Sequence, residues 1–184
     1  GDLVGGGAPV ERAVVALPIF VAARVVHNAP DFLRLAADAV AYAPWLVANL
    51  HLASPLHDRP GAAPSWDNVL YGAAGDGAGL GYVDATHQNL QAAAGPTVLT
   101  HYRALGDVAG TPMGAAVGTA GRTLLLERPW SAWRDQIVAE LSQAHPDLAG
   151  KATQIDITRY GHAMAIPQPM ANGQIGLWPS QNML

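Results

Sequence analysis

The sequence predicts an α+β fold in which helices pack on one face of a largely antiparallel, or mixed, sheet. Two observations support this class. About seven short segments have the pattern of strands, whereas only two have the pattern of helices. Most of the strand-like segments also follow one another directly along the chain, as in hairpins and meanders. The order of the elements lacks the alternation of strands and helices that a doubly wound domain requires.

The N-terminal part of the chain contains one predicted strand and one predicted helix. Residues 12–17 form a β-branched run that Pro18 interrupts, which predicts a short buried strand. Pro30 suits the first turn of a helix, and apolar residues follow it at helical spacing. These features predict a helix over residues 30–43.

Strands are predicted through the middle of the chain. Residues 45–52 alternate between apolar side chains and polar ones such as Asn49 and His51, as expected for a half-buried strand. Further strands are predicted over residues 66–71, 80–85, 97–105 and 123–127. Glycine-rich connections separate them at residues 72–79 and 106–121.

The clearest helix is predicted over residues 131–144, where Ser131 is a favourable N-cap residue. One face of this helix is apolar and consists of Trp133, Ile137, Val138 and Leu141. Residues 153–160 then alternate again, with Ile155 and Ile157 on one face, which predicts a last strand.

Composition excludes several functional classes. Of the 184 residues, 50% are hydrophobic and 13% are charged, so the composition is not that of a disordered chain. The net charge is −4 and the basic residues are scattered, which argues against binding to nucleic acid. There are no cysteines, which excludes a disulfide framework and a zinc–thiolate site.

The sequence also bears on location. The longest apolar stretch, residues 13–26, is interrupted by Pro18 and Arg24 and is too short to span a bilayer. No signal peptide is visible in the chain. The many alanines and glycines, together with arginine in place of lysine at all basic positions but Lys151, are typical of a bacterial genome rich in G and C. We therefore expect a soluble bacterial protein, with the choice between cytoplasm and export left open.

The histidines, serines and glycine-rich segments of the sequence form no recognisable metal, hydrolase or nucleotide-binding motif. Histidines occur at positions 27, 51, 57, 87, 101, 145 and 162, but none of the spacings HxH, HxxxH or HExxH is present, so no metal site is predicted. No serine lies in a G-x-S-x-G motif. The glycine-rich segments do not have the G-x-G-x-x-G pattern between a strand and a helix that would bind a nucleotide.

Several segments carry a resemblance to a known family. They are AVVALP at residues 13–18, APWLVAN at 43–49, PSWDN at 64–68, PWSAW at 129–133, HPDL at 145–148 and RYGHAMAIP at 159–167. In this order and spacing they resemble the flavin-dependent amine oxidase and protoporphyrinogen-oxidase-like superfamily of FAD oxidoreductases. The resemblance covers most of the chain.

The resemblance implies that the chain is one substrate-binding domain of a larger flavoprotein. The N-terminal and C-terminal segments that hold FAD in that superfamily are absent from the sequence, so FAD is expected in the parent protein and not on this chain. The expected partners are a small-molecule substrate and the missing FAD-binding domain, and a homo-oligomer is left open. The implied reaction is oxidation of a C–N or C–C bond by hydride transfer to the flavin.

The resemblance also implies where the substrate lies. It places Tyr160 and His162 at the wall of the active site that faces the flavin, with Met164 and Pro18 nearby. His101 and Tyr102, on a strand in the middle of the sheet, are further candidates. No residue is predicted to be an obligatory acid or base.

Two alternative functions remain at this stage. The chain could be a non-catalytic binding module with an apolar pocket for a small molecule, or a histidine-dependent metal enzyme.

Overall fold

The computed structural model describes residues 12–57, 65–70, 79–88, 95–106 and 116–166. The chain divides into two compact units, Gly1–Val40 with Gln168–Leu184, and Ala41–Pro167. The first unit carries two short helices, and the second carries the sheet and the remaining helices. Residue 71, residues 72–78 of the first glycine-rich connection and residues 107–115 of the second lie outside the described residues.

The helices of the first unit are α1 (Ile19–Val25) and α2 (Asp31–Ala39), and each follows a proline, Pro18 or Pro30, at its N-cap. The strand predicted at residues 12–17 is wrong, because this segment is exposed coil and its Val14 is 93% exposed. A β-branched run becomes a strand only where a partner strand can pack against it. No described strand pairs with residues 12–17.

The second unit contains one antiparallel sheet. Its strands are β1 (Ala41–Leu52), β2 (Asp67–Asn68), β3 (Gly81–Asp84), β4 (Thr97–Ala104) and β5 (Ala152–Ile166). The five strands lie in the order β2-β3-β4-β1-β5, and every neighbouring pair is antiparallel. With helices packed on one side of this sheet, the predicted α+β class is confirmed.

The helices of the second unit are α3 (Thr119–Glu127), α4 (Trp130–Ser142) and α5 (Leu148–Lys151), and a short 3₁₀ helix covers Ala85–Gln88. The strand predicted at residues 123–127 is wrong, since this segment is the second half of α3. A short apolar run cannot be assigned to strand or helix from its period alone.

Two element boundaries also differ from the prediction. The helix predicted over residues 30–43 ends at Ala39, because residues 41–43 pair with β5 instead. Ser131 is not an N-cap, because α4 begins one residue earlier, at Trp130, and follows Pro129. Proline has the φ angle that a helix start requires, so the helix starts before the serine.

The other five strand predictions were correct in place and inexact in length. The last strand extends well beyond residues 153–160, and the strand predicted at residues 66–71 is reduced to Asp67–Asn68. The other predicted strands agree with β1, β3 and β4 to within a few residues.

The core lies between the sheet and the helices of the second unit. Its fully buried apolar side chains are Leu46, Leu50, Leu52, Leu99, Leu125, Trp133, Ile137, Leu141 and Leu148. Every second residue of β1 between Leu46 and Leu52 enters this core, so the alternation in the sequence is reproduced. Ile155 and Ile157 of β5 pack against it from the edge of the sheet, as predicted.

Truncation of Leu141 tests how tightly this core is packed. We expect Leu141→Ala to lower the free energy of unfolding by about 2–5 kcal/mol, because the side chain is fully buried and the cavity it leaves cannot close completely. Leu126→Ala on α3 is the control, since Leu126 is 63% exposed and its loss should change stability by only about 0.5 kcal/mol. Urea denaturation measures both, and equal losses would contradict the described core.

A hydrogen-bonded cluster joins α5 to the loop that follows β1. Lys151 Nζ donates to Asp147 Oδ2 at 2.8 Å and to the carbonyl oxygen of Pro55 at 2.6 Å. The backbone N–H of His57 also donates to Asp147 Oδ2, at 3.0 Å. The hydrogen bond from Lys151 is the main reason that the pKa of Asp147 is lowered from 3.8 to about 2.

This cluster predicts an acid-dependent loss of stability. A carboxylate whose pKa is lowered by folding stabilises the folded state above its ordinary pKa, and this contribution disappears as pH falls through the lowered value. We expect Asp147→Asn to cost on the order of 1 kcal/mol near neutral pH, since the ion pair is near the surface. The difference from wild type should vanish between about pH 4 and pH 2.

Chemical denaturation at several pH values measures this difference. Asp135→Asn on α4 controls for the loss of one carboxylate, because Asp135 is exposed and pairs with its exposed neighbour Arg134. A difference that stays constant from pH 6 to about pH 2 would contradict the role assigned to Asp147.

Candidate functional site

One face of the sheet packs on the helices, and the opposite face of β1, β4 and β5 is the open face. Its residues alternate with the buried ones and are Trp45, Val47, Asn49, His51, Val98, Thr100, Tyr102, Gln154, Asp156, Thr158 and Tyr160. None of these is lysine or arginine, because Arg103 and Arg159 point to the helix side. The open face therefore offers aromatic and hydrogen-bonding groups with one carboxylate.

Three aromatic residues lie together at one end of the open face. Trp45 is directly opposite Tyr160 on β5, and its ring centroid lies 6.3 Å from that of Tyr102 on β4. Tyr160 is 50% exposed. We call Trp45, Tyr102 and Tyr160 the aromatic group. It includes two of the predicted site residues, and Trp45 could be recognised from its place at the start of an alternating strand.

A bulge in β5 follows the aromatic group. Tyr160 pairs with Trp45 and Met164 pairs with Ala43, so residues 161–163 of β5 face the single residue Pro44. Bulges of this kind redirect side chains and are common next to binding sites. The ring of His162, inside the bulge, packs edge-on against Tyr42 with centroids 6.1 Å apart.

Arg122 of α3 holds this bulge against β1. Its Nη1 donates to the carbonyl oxygens of Tyr42, at 3.0 Å, and Gly161, at 3.2 Å. One guanidinium group therefore links α3 to both strands beside His162. The strand predicted at residues 123–127 concealed this contact in the sequence, because it left Arg122 outside any predicted helix.

The remaining predicted site residues lie elsewhere. His101 precedes Tyr102 on β4, so its side chain points to the opposite face of the sheet, where it is fully buried. Pro18 is the N-cap of α1 in the first unit, and its place beside the others stays a prediction. Met164 is half exposed and lies on β5 beyond the bulge.

A buried ionic cluster on the helix side was missed by sequence reasoning. Glu140 of α4 accepts hydrogen bonds from Arg103 Nη2 at 2.8 Å, from His101 Nε2 at 3.2 Å and from the backbone N–H of Gly79 at 2.9 Å. A Cβ on Gly79 would lie 2.3 Å from His101 Nε2, so only glycine fits there. Burial by itself raises the pKa of Glu140, but His101 and Arg103 outweigh it and hold the pKa below its ordinary value.

The sequence contained a signal for this cluster. Glu140 lies seven residues after Trp133 on the core-facing side of α4, which is an unusual position for an unpaired carboxylate. His101 and Arg103 likewise share the buried face of β4 with Leu99. Because a buried charge must be paired, a carboxylate and a guanidinium at two core positions predict an ion pair between them.

Arg159 joins β5 to the turn between α3 and α4. Its guanidinium donates to the carbonyl oxygens of Leu126 and Arg128, at 3.2 and 2.9 Å, where α3 ends and the turn into α4 begins. Arg128 in turn lies over the ring of Trp133, 4.6 Å from its centroid. Arg159 is thus linked to Trp133 through Arg128.

The described residues contain neither a metal-binding cluster nor a membrane-spanning helix. Within the described ranges, no three side chains of histidine, aspartate or glutamate come close enough together to hold a metal ion. Nor does the described part of the chain contain a helix long and apolar enough to cross a membrane.

Comparisons with protein-family models, with curated proteins and with solved structures found no match.

Replacement of Glu140 tests the buried ionic cluster. We expect Glu140→Gln to lower the free energy of unfolding by about 3–5 kcal/mol, because Arg103 would remain buried without its counter-charge. Glu127→Gln, at the exposed end of α3, is the matched control and should be nearly neutral. If thermal or chemical denaturation gives the two variants the same stability, the cluster does not carry the role assigned to it.

Proposed function

We propose that the chain is the substrate-binding portion of an FAD-dependent oxidoreductase, similar to the amine oxidases, that oxidises a C–N or C–C bond of a small molecule. The observation that carries this proposal is the aromatic group on the open face. Trp45 and Tyr160 belong to two segments of the resemblance that lie far apart in sequence, and they are direct partners on β1 and β5. An exposed aromatic surface without cations suits a substrate with an apolar body.

The packing around these segments supports the same proposal. Arg159 fixes β5 to the turn before α4, and Arg122 fixes the β5 bulge to β1. The strand that carries Tyr160 and His162 is therefore held at two points from the helix side. Such support is what a site needs in order to hold a substrate in one orientation.

The described residues fit one part of FAD and not another. An uncharged surface that carries Trp45, Tyr102 and Tyr160 is compatible with a substrate lying between it and the planar flavin ring. The pyrophosphate needs free backbone N–H groups after a glycine loop at a helix N-terminus. Among the described helices only α3 follows a glycine, Gly118, and a Cβ there would lie 2.3 Å from the carbonyl oxygen of Tyr42.

A Cβ on Gly118 would meet the backbone of β1, so glycine is needed there for packing against this strand. We infer that a second domain of the parent protein holds FAD. When bound there, FAD supplies the hydride acceptor. The present chain contributes binding: the aromatic group excludes water and holds the apolar part of the substrate, while the Tyr160 hydroxyl and the His162 ring orient its polar part.

The cofactor can be tested directly. The longer protein that includes this chain should be yellow and contain about one FAD per polypeptide, as superfamily members do, and the isolated chain should be colourless. Absorbance spectra of both preparations decide this. A longer protein without flavin would refute the proposal and favour the alternative, a non-catalytic binding module that uses the same aromatic group.

In the flavin-containing protein, Tyr160→Phe and His162→Ala should slow flavin reduction by substrate about tenfold or more while leaving thermal stability nearly unchanged. Both side chains lie at the rim of the sheet rather than in the core, which is why folding should not depend on them. Leu126→Ala is the control for a surface change. Stopped-flow reduction rates equal to wild type in both site variants would contradict the assigned placement.

A further inference from the structure

We propose that an open cavity at the far end of the sheet is a second binding site, for a neutral ligand with several hydroxyl groups, such as a monosaccharide. The cavity has a volume of about 420 Å³, within the range of sites that hold small molecules. It is lined by His51, Leu52, Ala53, Pro96, Thr97, Val98, Thr153 and Gln154.

The cavity is distinct from the aromatic group. His51 follows Trp45 by six residues on the same strand. At about 3.3 Å per residue this places the two sites roughly 20 Å apart. No residue of the aromatic group lines the cavity. The inference is therefore independent of the flavoprotein proposal.

A second bulge in β5 forms one wall of this cavity. His51 pairs with Gln154 and Leu52 pairs with Ala152, so Thr153 is an extra residue without a partner on β1. Both Thr153 and Gln154 line the cavity, as do the neighbouring residues His51 and Leu52 of β1. The Thr153 hydroxyl donates to the carbonyl oxygen of His51 at 3.1 Å, which fixes the bulge.

Asp156 holds the polar side chains of the cavity in one arrangement. His51 Nε2 donates to Asp156 Oδ2 at 2.8 Å. The side-chain amide of Gln154 donates to both oxygens of the same carboxylate, at 2.8 and 3.0 Å. These hydrogen bonds, first that of Gln154 and then that of His51, lower the pKa of Asp156, so it is ionised at neutral pH.

This arrangement decides which chemical groups a ligand can use. With its Nε2 bonded to Asp156, the ring of His51 can offer a ligand only its Nδ1. Gln154 keeps its carbonyl oxygen, and Thr153 keeps the lone pairs of its hydroxyl oxygen. In the part of the chain that the structure describes, no other group donates to these three atoms. The site therefore presents acceptors and calls for a ligand that donates hydrogen bonds.

The lining also favours a neutral ligand over a charged one. None of the lining residues carries a fixed charge. Asp156 lies behind them, and its oxygens already accept three N–H groups, which a cation would have to displace. Pro96 and Val98 supply an apolar surface for C–H groups. Hydroxyl donors on a ring with C–H faces satisfy both the acceptors and the apolar wall.

NMR titration of the isotope-labelled chain with D-glucose tests the proposal. We expect saturable shifts, at millimolar concentrations, confined to the ring of His51 and the backbone of Thr153 and Gln154. Asp156→Ala should weaken the affinity about tenfold, equivalent to about 1.4 kcal/mol, because it releases both His51 and Gln154. Asp135→Ala on α4 is the matched control and should bind as wild type does.

Asp156 is exposed, so the variant should fold, and its melting temperature checks this. Gln154→Ala, which removes one acceptor and leaves the His51–Asp156 pair, provides a second variant and should weaken binding several-fold. Butylammonium and acetate are titrated in parallel as charged probes. The proposal is overturned if D-glucose causes no saturable shift, if only a charged probe binds, or if the shifts move to Tyr160 and His162. The last result would leave the flavoprotein proposal untouched.

Discussion

The alternation of side chains along β1 is the constraint on which the rest of the second unit depends. β1 is the strand between β4 and β5, and its leucines between Leu46 and Leu52 enter the core while Trp45 and His51 face away from it. A shift of one residue in its pairing would exchange the two faces completely. The hydrophobic burial of these leucines therefore also determines which residues reach the open face, so stability and the candidate sites have the same origin.

β5 contains two bulges, one at each end of its regular pairing with β1, and they make the two ends of the open face different. Between Gln154 and Tyr160 the strand pairs with β1 without interruption, and extra residues are accommodated only outside this stretch. One bulge carries His162 beside the aromatic group, and the other carries Thr153 beside the polar cavity. An edge strand tolerates extra residues because only one of its sides is paired. This explains why the irregular positions occur in β5 and not in β1.

The sequence was sufficient for the fold class, for most strands and for the core face of α4, because these depend on periodicity over several residues. It failed where a distant partner decided the outcome. Residues 41–43 continue a helical pattern but pair with β5, and residues 12–17 have strand propensity but no described partner strand. Two members of the aromatic group, Tyr102 and Tyr160, were predicted as site residues, and the strand pairing added Trp45. His101 was assigned to the same candidate set as Tyr102 although alternation separates them.

The buried cluster around Glu140 lies on the helix side of the sheet and fixes the position of α4 there. Packing of leucines alone would let α4 slide along the sheet at little cost, since apolar contacts have no direction. Glu140 of α4 pairs with Arg103 and His101 of β4, and these contacts fix the position of α4 on the sheet. If α4 moved along the sheet, a charged group would remain buried without its partner. Fixed charges on the helix side thus hold β4 in place. The guanidinium of Arg103 is thus desolvated on the helix side, and the open face carries no lysine or arginine.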